Sequence, residues 1–417
     1  MIAASIIFLI CIILFIVDRF RPATVALLGC LGMIIFKVLT PAEAFMGFTS
    51  DIVLIVFGTE IFGIAFLESG LAHLVGDFIS RVSKGNEKKI IIIAGLIGAG
   101  LSAFLNNQVI CLLMMVICIS IAKATPGINA KNITLPVILA AIFGGQMTLI
   151  GAPATLVASS LAKKSVGIEI KMFEILPMGL IIFAVGLAFI YFSSYRGGLK
   201  IWGKEKENQI DNEELYDYKK PNKRKITVTL IAGGIMLVLF IGGWVSVGVA
   251  SLIGGLICLV GCAVSQKEVF PRIDWNILIW LGCTIGLTNG FVKGGAVKIF
   301  VDWMVTNANG VSPIIILIIF VLLAFFISNL IANTTTVMML LPFALEVAVK
   351  LGFNQHTFLI AITMAAGLSI MTPLSCGFIG MTMRLGYKFK DYVRYSWPLQ
   401  LVLVGLVLLL SCLFYPL

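Results

Sequence analysis

Apolar segments of membrane-spanning length follow one another along nearly the whole chain. A hydrocarbon core about 30 Å thick needs roughly 20 apolar residues for each helical crossing. The pattern therefore predicts an all-α polytopic membrane protein. The apolar runs cover residues 2–17, 23–39, 52–79, 90–122, 133–162, 172–192, 226–244, 245–264, 273–304, 314–349, 358–383 and 397–417.

Two of these runs have the wrong length for simple crossings. Run 90–122 has 33 residues and would form a straight helix about 50 Å long, whereas two crossings with a turn need roughly 40 residues. Run 314–349 has the same problem. Each run therefore predicts a re-entrant hairpin, in which two half-helices meet at a tip near mid-membrane.

Each predicted hairpin carries neutral polar residues near its middle. The first reads "LSAFLNNQVICLLMM" from Leu101, and the second reads "FISNLIANTTTVMML" from Phe326. Irregular backbone at membrane depth is tolerated only where protein or a water-filled cavity satisfies it. The N-termini of half-helices favour an anion, and Asn or Ser oxygens can bind Na⁺. Helix-packing contacts are the alternative role, but two clusters at matching positions favour a ligand site.

A second interruption follows each hairpin. "GGQMTLIGAPATLVAS" (144–159) and "SIMTPLSCGFIGM" (369–381) place proline and glycine inside apolar runs. Proline removes a backbone donor and frees a carbonyl one turn earlier. The pattern predicts broken helices over 133–162 and 358–383, with simple proline kinks as the alternative.

The two halves of the chain match at a nearly constant shift. Gly58 corresponds to Gly282, Asn107 to Asn333, and Thr148 to Thr372. Each half has three crossings, a hairpin and two more crossings, so the second half enters the membrane inverted. The predicted units are repeat 1–195, linker 196–225 and repeat 226–417. Inverted repeats with broken helices are typical of secondary transporters.

Composition and charge agree with this picture. The chain is 60% hydrophobic and 12% charged, with a mean hydropathy of +1.09. Its net charge of +10 comes from loops, where 23 of the Lys and Arg residues fall on one predicted side and 7 on the other. Because Lys and Arg mark the cytoplasmic side, both termini are predicted outside and the linker inside. This pattern gives no sign of a nucleic-acid partner.

No constellation of catalytic residues is visible. The nine cysteines are mostly single residues in apolar runs, and the two histidines have no partner at ligand spacing. The sequence therefore predicts no enzyme, no transition-metal site and no organic cofactor. Glu60 lies in the third run, where a buried carboxylate is costly and functional by default, so it is a candidate for proton coupling.

These motifs resemble the divalent-anion:sodium symporters, a family within the wider ion transporter superfamily. The family has a Ser-Asn-Thr triplet at each hairpin tip; here the triplets are Asn106–Asn107–Gln108 and Ala332–Asn333–Thr334. "TLIGAPATL" resembles the family's loop in the first broken helix, and "YKFKDYVRYSWPL" resembles the start of its final helix. The similarity extends over essentially the whole chain.

The resemblance implies a homodimer in a bacterial-type plasma membrane that transports a small anion with Na⁺ by an elevator motion. It predicts substrate-binding residues at the tips and broken helices: Asn106, Asn107, Gln108, Asn333, Thr334, Thr335, Pro153, Thr155, Thr372, Pro373 and Ser375. It predicts sodium-binding residues beside them: Ser102, Asn107, Thr148, Gly151, Ser328, Asn333, Thr372 and Cys376.

Two questions stay open at this point. The anion could be a di- or tricarboxylate or a sulfate-like oxyanion, and H⁺ could replace Na⁺ as the coupling ion. The alternative function is a Na⁺/H⁺ antiporter or arsenite-type exporter of the same superfamily, in which Glu60 would have the central role.

Overall fold

The structure is a computed structural model that describes residues 2–17, 20–202, 221–293, 311–373, 375 and 377–417. Every regular element in these ranges is helical. The first half contains α1 (Ile2–Val17), α2 (Pro22–Ile35), α3 (Pro41–Ala44), α4 (Asp51–Glu68), α5 (Leu71–Ser83), α6 (Glu87–Ser102), α7 (Asn107–Ala124), α8 (Ala130–Gly145), α9 (Pro153–Val166), α10 (Leu176–Phe189) and α11 (Tyr195–Trp202).

The second half has a similar order of helices. It contains α12 (Lys223–Gly242), α13 (Val247–Val260), α14 (Gln266–Val269), α15 (Trp275–Lys293), α16 (Pro313–Ser328), α17 (Asn333–Leu351), α18 (Gln355–Gly367), α19 (Gly377–Met381) and α20 (Phe389–Phe414). Among the described residues, five helices are long and apolar enough to cross a membrane, or six if the bent pair α4–α5 is one span.

Burial separates inner from outer helices. In α8 and α18 nearly every side chain is buried, whereas α12 exposes Leu230, Val238 and Ile241. Large exposed apolar side chains on a helix of spanning length are stable only where lipid covers them. The chain is therefore an integral, multi-pass membrane protein, and α7, α8, α17 and α18 contribute to its buried core.

One predicted crossing is bent in the structure. The run 52–79, predicted as a single crossing, corresponds to α4 and α5, which meet at an angle of 62°. The turn lies at Gly70, whose φ of 85° is open to glycine and strained for other residues. Glu68, buried at the end of α4, forms an ion pair with Arg272 next to this turn.

Helices of one half pack against helices of the other half. α4 packs on α13, and α2 packs on α15. The Asp51 carboxylate accepts a hydrogen bond from the Gly248 N–H (3.1 Å), and the Asn276 amide oxygen accepts one from the Ala23 N–H (3.2 Å). The repeat shift relates Asp51 to Asn276 and Ala23 to Gly248. The same capping contact thus occurs twice, with the halves exchanged.

Long-range polar contacts join helix ends that the charge pattern assigns to the same side. On the predicted outer side, Lys293 contacts Glu43 (2.5 Å). On the predicted cytoplasmic side, the Lys131 ammonium donates to the Gly386 carbonyl (3.0 Å). The relative sidedness of these ends agrees with the charge pattern, and their absolute orientation stays a prediction.

The chain breaks its helices at four places near the core. α6 ends at Ser102 and α7 begins at Asn107; α16 ends at Ser328 and α17 begins at Asn333. α8 ends at Gly145 before α9 begins with Pro153 at its first turn, and α18 ends at Gly367 before α19. We call residues 103–106 and 329–332 the first and second tips, and residues 146–152 and 368–376 the first and second breaks.

Candidate functional site

A cavity of about 270 Å³ lies where the start of α7, the second tip, both breaks and α15 meet. This volume is close to the lower end of the range for small-molecule sites. Seven of the predicted substrate-binding residues line its wall: Asn107, Gln108, Pro153, Asn333, Thr334, Thr335 and Ser375. The structure thus brings together residues from opposite halves of the sequence.

At the first tip, polar side chains hydrogen-bond to each other and to the start of α7. The side-chain oxygen of Asn106 accepts a hydrogen bond from the Gln108 N–H (2.9 Å) and so caps α7. The Ser102 hydroxyl donates to the Asn107 amide oxygen, and both residues are almost fully buried. Gly145 lies against the Asn107 amide, where a Cβ atom would collide with it. The end of α8 therefore fixes the Asn107 side chain.

The second tip has no such cap. Ala332 precedes α17 and offers no side-chain acceptor to the first-turn N–H groups. The Asn333 N–H donates to the Ser375 carbonyl at 3.4 Å, which connects this tip to the second break. Thr334 and Thr335 follow in the cavity wall. The start of α17 consequently presents backbone N–H groups to the cavity without a competing side-chain cap.

Four helices begin at the cavity wall. α7 contributes its first two residues, α9 its first two, α17 its first three, and α15 contributes Asn276 and Ile277. α7 is capped by Asn106 and α15 by Asp274, whose carboxylate accepts from the N–H groups of Asn276 (3.1 Å) and Ile277 (3.3 Å). α9 and α17 have no side-chain cap. Each N-terminus carries roughly half a positive charge.

The charge that a side chain brings to the wall is negative, opposite to that of the helix N-termini. Asp274 is the one charged residue among the described wall residues, and none of them is Lys or Arg. Glu60 lies directly behind it, because the Glu60 carboxylate accepts a hydrogen bond from the Asp274 N–H (2.8 Å). An anion in this cavity would therefore depend on helix N-termini, neutral donors and accompanying cations.

A compact group of oxygen atoms lies beside each tip. At the first break, the Thr148 hydroxyl donates to the Ala103 carbonyl, and Gly151 lies close to the carbonyls of Gly145 and Ser102. At the second break, the Thr372 hydroxyl donates to the Asn329 carbonyl. These two hydroxyl contacts are equivalent, since the repeat shift relates Thr148 to Thr372 and Ala103 to Asn329.

The second group contains further hydroxyls. Ser328 and Ser369 share a hydrogen bond between their hydroxyl groups, and both are fully buried. The Ser375 hydroxyl donates to the carbonyls of Ser369 (2.8 Å) and Thr372 (2.8 Å). Hydroxyl, amide and carbonyl oxygens are the ligands that hard cations prefer.

Several predicted residues lie outside the cavity wall. Asn106 and Thr372 make the contacts described above, Pro373 is buried in the second break, and Thr155 is buried in α9 with its hydroxyl unpaired among the described residues. Ser102, Thr148, Gly151 and Ser328 belong to the oxygen groups beside the tips. Glu60 is one hydrogen bond away from the wall. Cys376 lies outside the described residues.

The sequence-based prediction missed four polar wall residues: Gln146, Asp274, Asn276 and Trp280. Gln146 was visible as a lone amide next to the glycines that precede the first break. Asp274 and Asn276 flank the start of an apolar run, where polar residues are ordinary. No sequence signal indicated that this helix start faces the two tips.

The broken helices around a central cavity define a class of membrane protein, the secondary transporters. A family model described as "Citrate transporter" matches residues 12–322 and 307–416. The chain belongs to this citrate transporter family, whose members are transporters and not enzymes.

Individual relatives are also named as transporters. The sodium-dependent dicarboxylate transporter SdcS of Staphylococcus aureus (strain USA300) is 25% identical over 384 residues, or 84% of this chain and 74% of SdcS. The uncharacterized transporter sll0640 of Synechocystis is 26% identical over 183 residues, which are 44% of this chain and 30% of that protein. The chain thus spans only about a third of the length of some relatives.

A solved structure shows the fold. The YdaH transporter of Alcanivorax borkumensis superposes with a TM-score of 0.65 at 14% identity, covering 91% of this chain and 88% of that one. At this identity the likeness concerns the fold alone.

Proposed function

We propose that the protein is a secondary active transporter that moves a small di- or tricarboxylate across the plasma membrane together with Na⁺. The observation that carries this proposal is the cavity between the tips, into which the uncapped N-termini of α9 and α17 open. The family membership and the sodium-dependent dicarboxylate relative favour a carboxylate over a sulfate-like oxyanion.

The substrate carboxylates bind at the helix starts. The first-turn N–H groups at Thr334 and Thr335 receive one carboxylate, and the Ala154 N–H at the start of α9 lies within the same cavity to receive another. A favourable helix terminus stabilises an anion by about 0.3–2 kcal/mol. Asn107 and Asn333 add neutral amide donors.

Sodium ions bind in the two oxygen groups. The first contains Thr148 with the carbonyl groups of the first tip, and the second contains Thr372 with Ser328 and Ser369. A cation there neutralises the substrate charge that no Lys or Arg of the described wall balances. This arrangement explains why substrate and Na⁺ would bind together. Glu60 remains our candidate for proton coupling, because it contacts the wall residue Asp274.

Transport proceeds by an elevator motion of the tips and breaks against a scaffold formed by α2, α4, α13 and α15. The exchanged contacts of Asp51 and Asn276 support an inverted repeat, since each caps a helix of the other half. From the family resemblance we infer a homodimer in a bacterial-type plasma membrane, and from the Lys and Arg distribution we infer that both termini lie outside.

The test is uptake by the purified protein in liposomes, with labelled succinate, citrate and sulfate, with and without an inward Na⁺ gradient. We expect Na⁺-dependent uptake of a carboxylate that is lost in Asn333→Ala and in Thr372→Ala. Sulfate uptake without carboxylate uptake would reject the substrate class. Proton flux driven by Na⁺ without any anion uptake would reject symport.

A further inference from the structure

Gln146 is a buried amide in the wall of the cavity, immediately after the end of α8. Its side chain is 1% exposed. The amide nitrogen donates a hydrogen bond to the Gly367 carbonyl of α18 (3.3 Å), so it connects the first break to the other repeat. The amide oxygen is buried and has no hydrogen-bond partner among the described residues. The structure therefore leaves one acceptor of this side chain for something else to satisfy.

Gly367 fixes the position of this amide. A Cβ atom at residue 367 would lie 2.5 Å from the Gln146 amide nitrogen and 2.7 Å from its oxygen, so the glycine leaves room for the amide in its present position. Turning the amide over would place its oxygen against the Gly367 carbonyl, where two acceptors repel. The orientation with the free oxygen is the one that the surroundings select.

The unpaired oxygen requires a donor. Leaving a buried acceptor unsatisfied costs its full desolvation, which a ligand removes if it brings a hydrogen-bond donor to that atom. Ionised carboxylates carry no donor, because they only accept. A hydroxyl group does carry one, and a hydroxylated carboxylate combines it with the carboxylates that the helix N-termini attract.

We propose that Gln146 is a specificity-determining residue that accepts a hydrogen bond from a hydroxyl group of the substrate. The cavity then prefers hydroxylated di- or tricarboxylates over the same acids without the hydroxyl group. This inference rests on the proposed function, since it assumes that a carboxylate occupies the cavity. A site built to pair a substrate hydroxyl discriminates strongly against the analogue that lacks it.

The test compares acids that differ by one hydroxyl group. Malate and succinate form one pair, and citrate and tricarballylate form the other. Each acid is measured as a competitor of labelled uptake into proteoliposomes, for the wild-type protein and for Gln146→Met, which keeps the side-chain length and removes the amide. We expect the wild-type protein to favour the hydroxylated member of at least one pair by about tenfold, and the variant to favour it by less than about twofold.

Gln400 supplies the matched control. It is a fully buried glutamine beside the second break, where its amide oxygen accepts from the Ile370 N–H (3.2 Å), and it does not line the cavity. Gln400→Met removes a buried amide of the same kind and should keep the hydroxyl preference. Loss of the preference in both variants would mean that it follows general packing and would overturn the role of Gln146.

The wild-type protein alone already tests the proposal. Uptake of both members of each pair with equal apparent affinity would overturn this inference and leave the proposed function standing. Absence of uptake of every carboxylate would overturn the proposed function, and this inference with it. If Gln146→Met lowers the apparent Na⁺ affinity to the same extent with both acids of a pair, the amide oxygen binds a cation and not a hydroxyl group. That result also overturns the inference.

Discussion

The two tips differ in one helix cap, and this difference gives a sharp prediction. Asn106 caps α7, whereas Ala332, at the equivalent position of the second half, leaves α17 uncapped. Their backbones are nearly the same, with φ, ψ of −54°, 125° at Asn106 and −56°, 139° at Ala332. Ala332 is exposed at the tip, so a larger side chain has room. Ala332→Asn therefore rebuilds the cap of the first tip in the second.

We expect opposite effects on stability and on transport. An Asn cap in place of Ala stabilises a helix by about 1 kcal/mol, which raises the unfolding temperature by roughly 1–2 °C in a chain of this size. The same cap occupies a first-turn N–H group that the proposed function reserves for a substrate carboxylate. A hydrogen bond to a charged group contributes about 1.5–3 kcal/mol, so the substrate affinity should fall by roughly 10- to 100-fold.

The assay measures thermal unfolding of the purified protein and the KM of Na⁺-dependent uptake in liposomes. Ala332→Leu is the control, since leucine is similar to asparagine in length but cannot cap. We expect Ala332→Leu to change KM less than Ala332→Asn does. A variant Ala332→Asn that is more stable and keeps the wild-type KM would refute carboxylate binding at the start of α17.

Three further predictions concern the scaffold and the loops. Arg272→Met removes the guanidinium from the buried Glu68 carboxylate and should cost about 3 kcal/mol in thermal unfolding. Adding Glu68→Gln should recover part of the loss. Lys293, beside Glu43, lowers the pKa of that carboxyl from 4.5 to about 2. Because the pKa of Glu43 is lower in the folded than in the unfolded protein, its stabilising effect is complete above pH 4.5 and is lost as the pH falls toward 2. The difference in unfolding temperature between the wild-type protein and Glu43→Gln should therefore shrink across this window. Cys262 is exposed at the predicted cytoplasmic end of α13. A membrane-impermeant maleimide should therefore label it in inside-out vesicles only, and this label should disappear in Cys262→Ser. Labelling of Cys262 in right-side-out vesicles would reverse the orientation.

Local chemistry made many residues of the candidate site predictable. Asn, Ser, Gly and Pro stand out in apolar runs, and α7, α9 and α17 begin at such residues in the structure. The length of a run also limits how a helix can cross a membrane. These signals are readable in a single sequence because they depend on nearby residues.

The features that the sequence did not predict depend on tertiary packing. The bend at Gly70 depends on how α5 leaves α4, and a glycine in an apolar run does not by itself indicate a bend. Asp274 reached the cavity because α15 packs on α2, a partner from the other half of the chain. The rotation of a helix about its axis, which selects the wall residues, follows from such distant contacts.

The exchanged packing of the two halves has a consequence for how the protein is made. Gly58 of α4 and Gly255 of α13 bring their helices into close backbone contact, so α4 lacks its partner until the second half has been synthesised. At about 5–20 residues per second, the segment from Gly58 to Gly255 takes roughly 10–40 s to translate. During that time the newly inserted first half exposes a glycine-bearing helix face to lipid or to a chaperone. Assembly of the scaffold is therefore a late step of biogenesis, and premature termination after the linker leaves a half-protein without its partner surface.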